Sequence, residues 1–180
     1  MRVSLRHSFA VVSLLAAAAG VDVANALPSG FVEEVVAQDK AITGTFAPNP
    51  KTGAPMLMLA SKQGKISILE NPDESDESMV ALNIKDSICE DGERGLQSIA
   101  VHPQFNVEEE NYWIYLFFTE YKRWCIEGNE FWDTTVGPAN IVARMKLDPV
   151  SLLIDSNTME EIWRSPPGLD KNHQVSGWNS

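Results

Sequence analysis

Hydrophobic and polar positions along the chain change rhythm over short distances, in the manner of strands. Met56–Ser61 is an apolar run of strand length, and Lys65–Glu70 alternates apolar with polar positions. Lys62-Gln63-Gly64 between them is a tight turn, so the two segments read as a hairpin. Met79–Ile84 is a further strand candidate, and Leu96–Pro103 follows a polar loop as an apolar strand. Asn111–Tyr121 is rich in aromatic and β-branched residues and gives the strongest strand signal in the chain. Ile141–Asp148 reads as a strand that ends at Asp148-Pro149, and Met159–Pro166 closes the series. Nearer the N-terminus, Gly30–Gln38 is apolar with polar breaks and reads as a first strand. Ala41–Pro55 holds Gly44, Pro48, Pro50, Gly53 and Pro55 and reads as turn-rich. Asn71–Ser78 is an acidic, solvated loop.

No long amphipathic helix interrupts this series, so the expected class is all-β. Short strands at fairly even spacing suit a sandwich, a barrel or a propeller. The strand–Gly turn–strand pattern of Met56–Glu70 favours the propeller, as the inner part of one blade. The four segments from Leu96 to Pro166 have the spacing of a second four-stranded blade.

The first 26 residues follow a different pattern. Arg2 and Arg6 precede an apolar run, Phe9–Val21, that is short for a membrane span. Ala24 and Ala26 then supply the small residues that signal peptidase requires. This is the pattern of a secretory signal peptide over residues 1–26; the alternative is an N-terminal anchor helix. No later stretch is apolar enough to span a bilayer, so no integral membrane segment is expected after cleavage.

The 180 residues suffice for one domain with a real core. The net charge of -11 argues against nucleic-acid binding, which requires a basic face. Removing Arg2, Arg6 and Asp22 with the signal takes 14 basic and 25 acidic residues to 12 and 24. Secretion also changes the meaning of the two cysteines. Cys89 and Cys125 would lie in a compartment that permits disulfides, and both flank predicted strands. A Cys89–Cys125 bridge is the favoured reading; the alternatives are two free thiols, or pairing with cysteines outside this chain. No CxxC pair exists to suggest a zinc site.

One block carries more than periodicity. Glu93-Arg94-Gly95-Leu96, then Ile99-Ala100, His102-Pro103 and Phe105, followed by Asn111–Tyr121, Asn140–Asp148 and His173-Gln174, resembles the glucose/sorbosone dehydrogenase family. The resemblance covers about residues 27–174. It implies a secreted six-bladed β-propeller that oxidises aldose sugars with pyrroloquinoline quinone (PQQ) and calcium. This chain would supply about the first two blades. A six-bladed propeller takes roughly twice this length, so no cofactor is expected on these 180 residues alone. The same domain occurs in hedgehog-interacting-protein-like proteins, which implies an alternative: a secreted, non-catalytic propeller that binds an extracellular protein.

By the same resemblance His173 matches the family's general base. A neutral imidazole takes the proton of a sugar hydroxyl near pH 7. Glu93 and Asn172 match cofactor-site positions, where glucose dehydrogenases carry glutamine and aspartate. His102 and Pro103 match a structural turn. The family's cationic clamp and calcium ligands come from later blades, so no metal ligands are assigned here. Without the resemblance, a lone loop histidine is more often structural. After Gln174 the family continues with glycines and a strand, whereas here Val175–Ser180 ends the chain. Val175-Ser176 can be encoded by GTAAGT, a splice-donor sequence, so residues 175–180 read as a non-homologous tail from a retained intron or a faulty gene boundary. The alternative is a short insertion. The partner expected is a small sugar or an extracellular protein.

The signal reading has a direct test. N-terminal sequencing of secreted protein should begin at Leu27. An intact Met1 on a membrane-bound form would refute cleavage.

Overall fold

The computed structural model describes residues 35–37, 40–107, 111–121, 125 and 138–166. The expected signal peptide, the loop with Asn172 and His173, and the tail 175–180 lie outside the described residues.

Eight strands form two four-stranded sheets. The first holds β1 (Thr43–Pro48), β2 (Pro55–Ala60), β3 (Lys65–Leu69) and β4 (Met79–Asn83). The second holds β5 (Leu96–Val101), β6 (Trp113–Thr119), β7 (Asn140–Leu147) and β8 (Ile154–Arg164). In both sheets the strand order follows the sequence, with antiparallel neighbours throughout. A single short 3₁₀ turn, Lys85–Ser87, is the helical content of the described residues. The all-β expectation holds, and two consecutive four-stranded meanders are what two propeller blades look like.

Strand periodicity builds the core. Met56, Met58 and Ala60 of β2 lie on the same face as Ile66 and Ile68 of β3, and all five are buried. They meet Ile114, Leu116 and Phe118 of β6 with Ala143 and Met145 of β7. Successive side chains point to opposite faces, so β6 alternates buried Ile114, Leu116 and Phe118 with half-buried Trp113, Tyr115 and Phe117. The sheets therefore stack face to face.

Three sequence expectations need correction. Val35–Ala37, the described part of the expected first strand, form no strand. The strand that pairs with β2 is Thr43–Pro48 instead, inside the segment read as turn-rich. Its glycine is a packing residue. A Cβ at Gly44 would sit 3.0 Å from Leu59 Cδ2 and 3.0 Å from the Met58 carbonyl oxygen. Its proline stands at the strand end, on the sheet edge, where no ladder N–H is needed. With β1 at the edge, β2 and β3 become the central strands of their sheet. Finally, β8 begins at Ile154, earlier than the Met159 expected. The Asp148 carboxylate accepts from the backbone N–H of Val150 (3.0 Å) and of Ser151 (2.6 Å), and from the Ser151 hydroxyl (2.9 Å). These bonds close a tight β7–β8 turn and hold the Asp148 carboxyl below its ordinary range.

The long outer strand β8 is an edge, and Asp155, Glu160, Glu161 and Arg164 along it discourage strand addition. Among the described residues no helix is long and apolar enough to cross a membrane.

Packing makes a clear forecast. Leu116→Ala, at 1% exposure, should lower urea-measured stability by about 2–5 kcal/mol. Phe46→Ala, at 63% exposure, should cost no more than about 1 kcal/mol. Equal losses would contradict this assignment of the core.

Candidate functional site

Each sheet is an even-numbered meander, so the chain enters and leaves it at the same end. The turn Ser61–Gly64, the connection Ile84–Gly95 and the ends of β6 and β8 consequently share one end of the stack. Backbone hydrogen bonds tie them together. Leu96 N–H donates to the Lys62 carbonyl (2.8 Å), Thr119 N–H to that of Gly95 (3.0 Å) and Cys89 N–H to that of Thr119 (2.9 Å). Glu120 N–H donates to Ala139, and Ser165 N–H to Asn140, both at 2.9 Å.

The connection between sheets carries Glu93-Arg94-Gly95. Gly95 has φ +139°, and a Cβ there would lie 2.6 Å from Lys62 Cγ and 2.8 Å from the Lys62 carbonyl oxygen. Glycine is required at that position both for φ and for space. Arg94 is buried (5% exposed), with Nη1 3.9 Å from Cys89 Sγ. Arg94 N–H closes a turn onto the Asp91 carbonyl (3.1 Å). Glu93 is exposed, and its backbone carbonyl accepts from Gln97 Nε2 (2.9 Å).

Cys89 and Cys125 are joined in a disulfide with Cα atoms 5.6 Å apart. It ties the start of the Glu93 connection to the segment after β6. Beside it opens a cleft of about 800 Å³, lined by Lys62, Lys85, Asp91, Gly92, Tyr121 and Cys125 among others.

A family model for glucose/sorbosone dehydrogenase matches residues 45–178. The chain belongs to that family. The match includes the Glu93 loop, all seven strands after β1, and residues 175–178 of the C-terminal segment. No curated protein matches the chain. A solved structure named glucose dehydrogenase is similar, at 17% identity and a TM-score of 0.47; the match covers 72% of this chain and 33% of that one. This chain therefore spans about a third of that structure's length.

Of the residues singled out for this glucose/sorbosone dehydrogenase domain, Glu93 stands on the shared loop end, and Cys89 and Cys125 brace it. Asn172 and His173 lie outside the described residues. The last described residues, Ser165 and Pro166, leave β8 at the same end as Glu93. His102 lies at the opposite end. Its Nδ1 accepts from Gln104 N–H (3.1 Å) and lies 2.8 Å from Asn111 Nδ2, which fits the structural turn expected of His102-Pro103.

Sequence reasoning missed two sets of residues at the loop end. Lys62 was read as a turn residue, yet it seats the loop. Thr119, Asn140 and Ser165 are buried and bonded in series: Thr119 Oγ1 donates to Asn140 Oδ1 (2.8 Å), and Asn140 N–H donates to Ser165 Oγ (2.9 Å). Thr119 and Asn140 are polar residues at the tips of apolar strands, and that signal was available; Ser165 follows the largely polar β8.

Among the described residues no three His, Cys, Asp or Glu side chains converge as a metal site. The cations at this end are largely committed. The Lys62 ammonium donates to the Gly92 carbonyl, and Arg164 pairs with both Glu120 and Glu161. These carboxylates hold the Arg164 guanidinium above its ordinary range.

The disulfide closes a sequence separation of 36 residues. Replacing both cysteines by serine should lower stability by about 3–4 kcal/mol, the loop-closure entropy for that length. Denaturant unfolding of the double variant against the oxidised protein measures it. A loss below about 1 kcal/mol would show that the bridge constrains little.

Proposed function

We propose that this chain is the N-terminal part of a secreted sugar dehydrogenase that uses a quinone, and that alone it is inactive. The single observation that carries the reading is the family match over residues 45–178. The geometry supports it: the Glu93 loop and the C-terminal end of β8 lie at one end of the sheets.

In this reading the signal is residues 1–26 and the propeller portion begins at residue 27. His173 accepts the proton of the sugar hydroxyl as a neutral imidazole. Glu93, exposed on a braced loop, accepts hydrogen bonds at the site's edge. PQQ, when bound, supplies the electron acceptor. It carries three carboxylates, and the cations of the described residues do not fit it by themselves: Lys62 and Arg164 are engaged and Arg94 is buried beside Cys89, which leaves Lys85 as the cleft's remaining cation. The clamp and the calcium ligands belong to a longer chain.

Dye reduction with aldose sugars and added PQQ tests this. The 180-residue chain should show none. A chain extended through further blades should be active, and His173→Ala should lower its rate by about 10²-fold or more, the loss of a general base. Activity from the short chain, or an extended enzyme that keeps its rate without His173, would overturn the reading. An extended chain that binds an extracellular protein and oxidises nothing would favour the non-catalytic propeller.

A further inference from the structure

We propose that Lys62 is the positioning residue of the Glu93 loop, gripping it on both sides of Glu93 and so setting where that carboxylate sits at the edge of the site. The inference rests on the sugar-dehydrogenase reading and deepens it.

Lys62 belongs to the other sheet, in the turn between β2 and β3. Its ammonium donates to the carbonyl of Gly92, the residue just before Glu93. Its backbone carbonyl accepts from Leu96 N–H at 2.8 Å, three residues after Glu93. Between these two points Gly95 lies against Lys62 so closely that no Cβ fits. Glu93, Arg94 and Gly95 thus form a short bridge hung at both ends from one residue.

The support is itself rigid. Gly64 N–H donates to the Ser61 carbonyl (3.0 Å), Ser61 N–H to that of Lys65 (2.8 Å), and Ile84 N–H to that of Gly64 (3.0 Å). Gly64 has φ +90°, and a Cβ there would be 2.8 Å from Ile88 Cγ1. A site residue is aimed well only when what holds it cannot move. Glu93 is exposed, so its aim comes from what holds the loop: the cystine at the loop's start and Lys62, which contacts it on both sides of Glu93. The two halves of the grip are chemically separable. The backbone half survives any side-chain change, whereas the ammonium half needs a long side chain ending in a donor.

Lys62→Met keeps the stem and loses the donor, and Lys62→Arg restores one. In the 180-residue chain, amide exchange over residues 91–96 should rise about five- to tenfold in Lys62→Met, the range for losing one hydrogen bond worth about 1–1.4 kcal/mol net. The unfolding midpoint should stay nearly unchanged, and Lys62→Arg should recover protection. In the chain extended through further blades, Lys62→Met should raise the sugar KM more than it lowers kcat. That effect should vanish in a Glu93→Ala background. Unchanged exchange in Lys62→Met overturns the grip. An equal KM effect with and without Glu93 overturns the positioning of Glu93. An extended chain that oxidises no sugar overturns the sugar-dehydrogenase reading and the role given to Glu93, while the exchange result still decides the grip.

Discussion

The structure depends on one apolar contact, the face that two four-stranded sheets share. Met56, Met58, Ile66 and Ile68 press against Ile114, Leu116 and Met145, each at most 1% exposed. Such interiors pack at crystal density, and unbranched methionines fill gaps that branched side chains leave. Once the sheets stack this way, strand parity does the rest. Four antiparallel strands return the chain to the end where it entered. The Lys62 turn, the Glu93 connection and the exits of β6 and β8 therefore meet at one end, and His102 falls at the other.

Three kinds of bond then brace the Glu93 end, and their magnitudes differ. The Cys89–Cys125 bridge constrains the unfolded chain and is the largest single contribution. Buried, fully bonded polar groups such as Thr119 with Asn140 come next, because removing one partner leaves the other buried and unsatisfied. Exposed ion pairs come last. Arg164 with Glu161 (2.6 Å) has good geometry but is screened by solvent. The cystine and the glycine contact at Lys62 shape the loop; the surface charges mostly decorate the edge strand.

How much of this was legible in the sequence follows from what each signal measures. Strands β2 through β7 announced themselves, because hairpin turns and alternating burial are local properties. Strand β1 did not. Gly44 and Pro48 look like turn residues, and only the facing Leu59 shows that Gly44 serves close packing. The true start of β8 was hidden because Asp148–Leu153 makes a side-chain-capped turn, after which Asp155–Thr158 reads as polar loop. The Glu93 motif and the cysteine pairing were both visible, the first by resemblance and the second by compartment and strand ends. The seat of the loop was not, since Lys62 and Gly95 lie 33 residues apart and meet only through the sheet stack. Contacts between blades leave no local periodicity.

The other face of the second sheet bears on whether two sheets are the whole architecture. A strand with one solvated face alternates apolar and polar residues, whereas one covered on both faces reads as a continuous apolar run. Strand β6, Trp113-Ile114-Tyr115-Leu116-Phe117-Phe118, is such a run. Its Ile114, Leu116 and Phe118 fill the shared core. Its Trp113, Tyr115 and Phe117 stand half-buried on the opposite face, in register with Lys146, Arg144 and Val142. Arg144 lies 4.3 Å from the centre of the Trp113 ring, and His102 stacks on Tyr115 at 6.2 Å. Trp163 extends the same face on β8, opposite Val142. Cation–π pairing makes this surface tolerable in water, but so many aromatics exceed what a solvated sheet needs. The composition suits a sheet stacked on both sides, which supports reading these two sheets as consecutive members of a longer series.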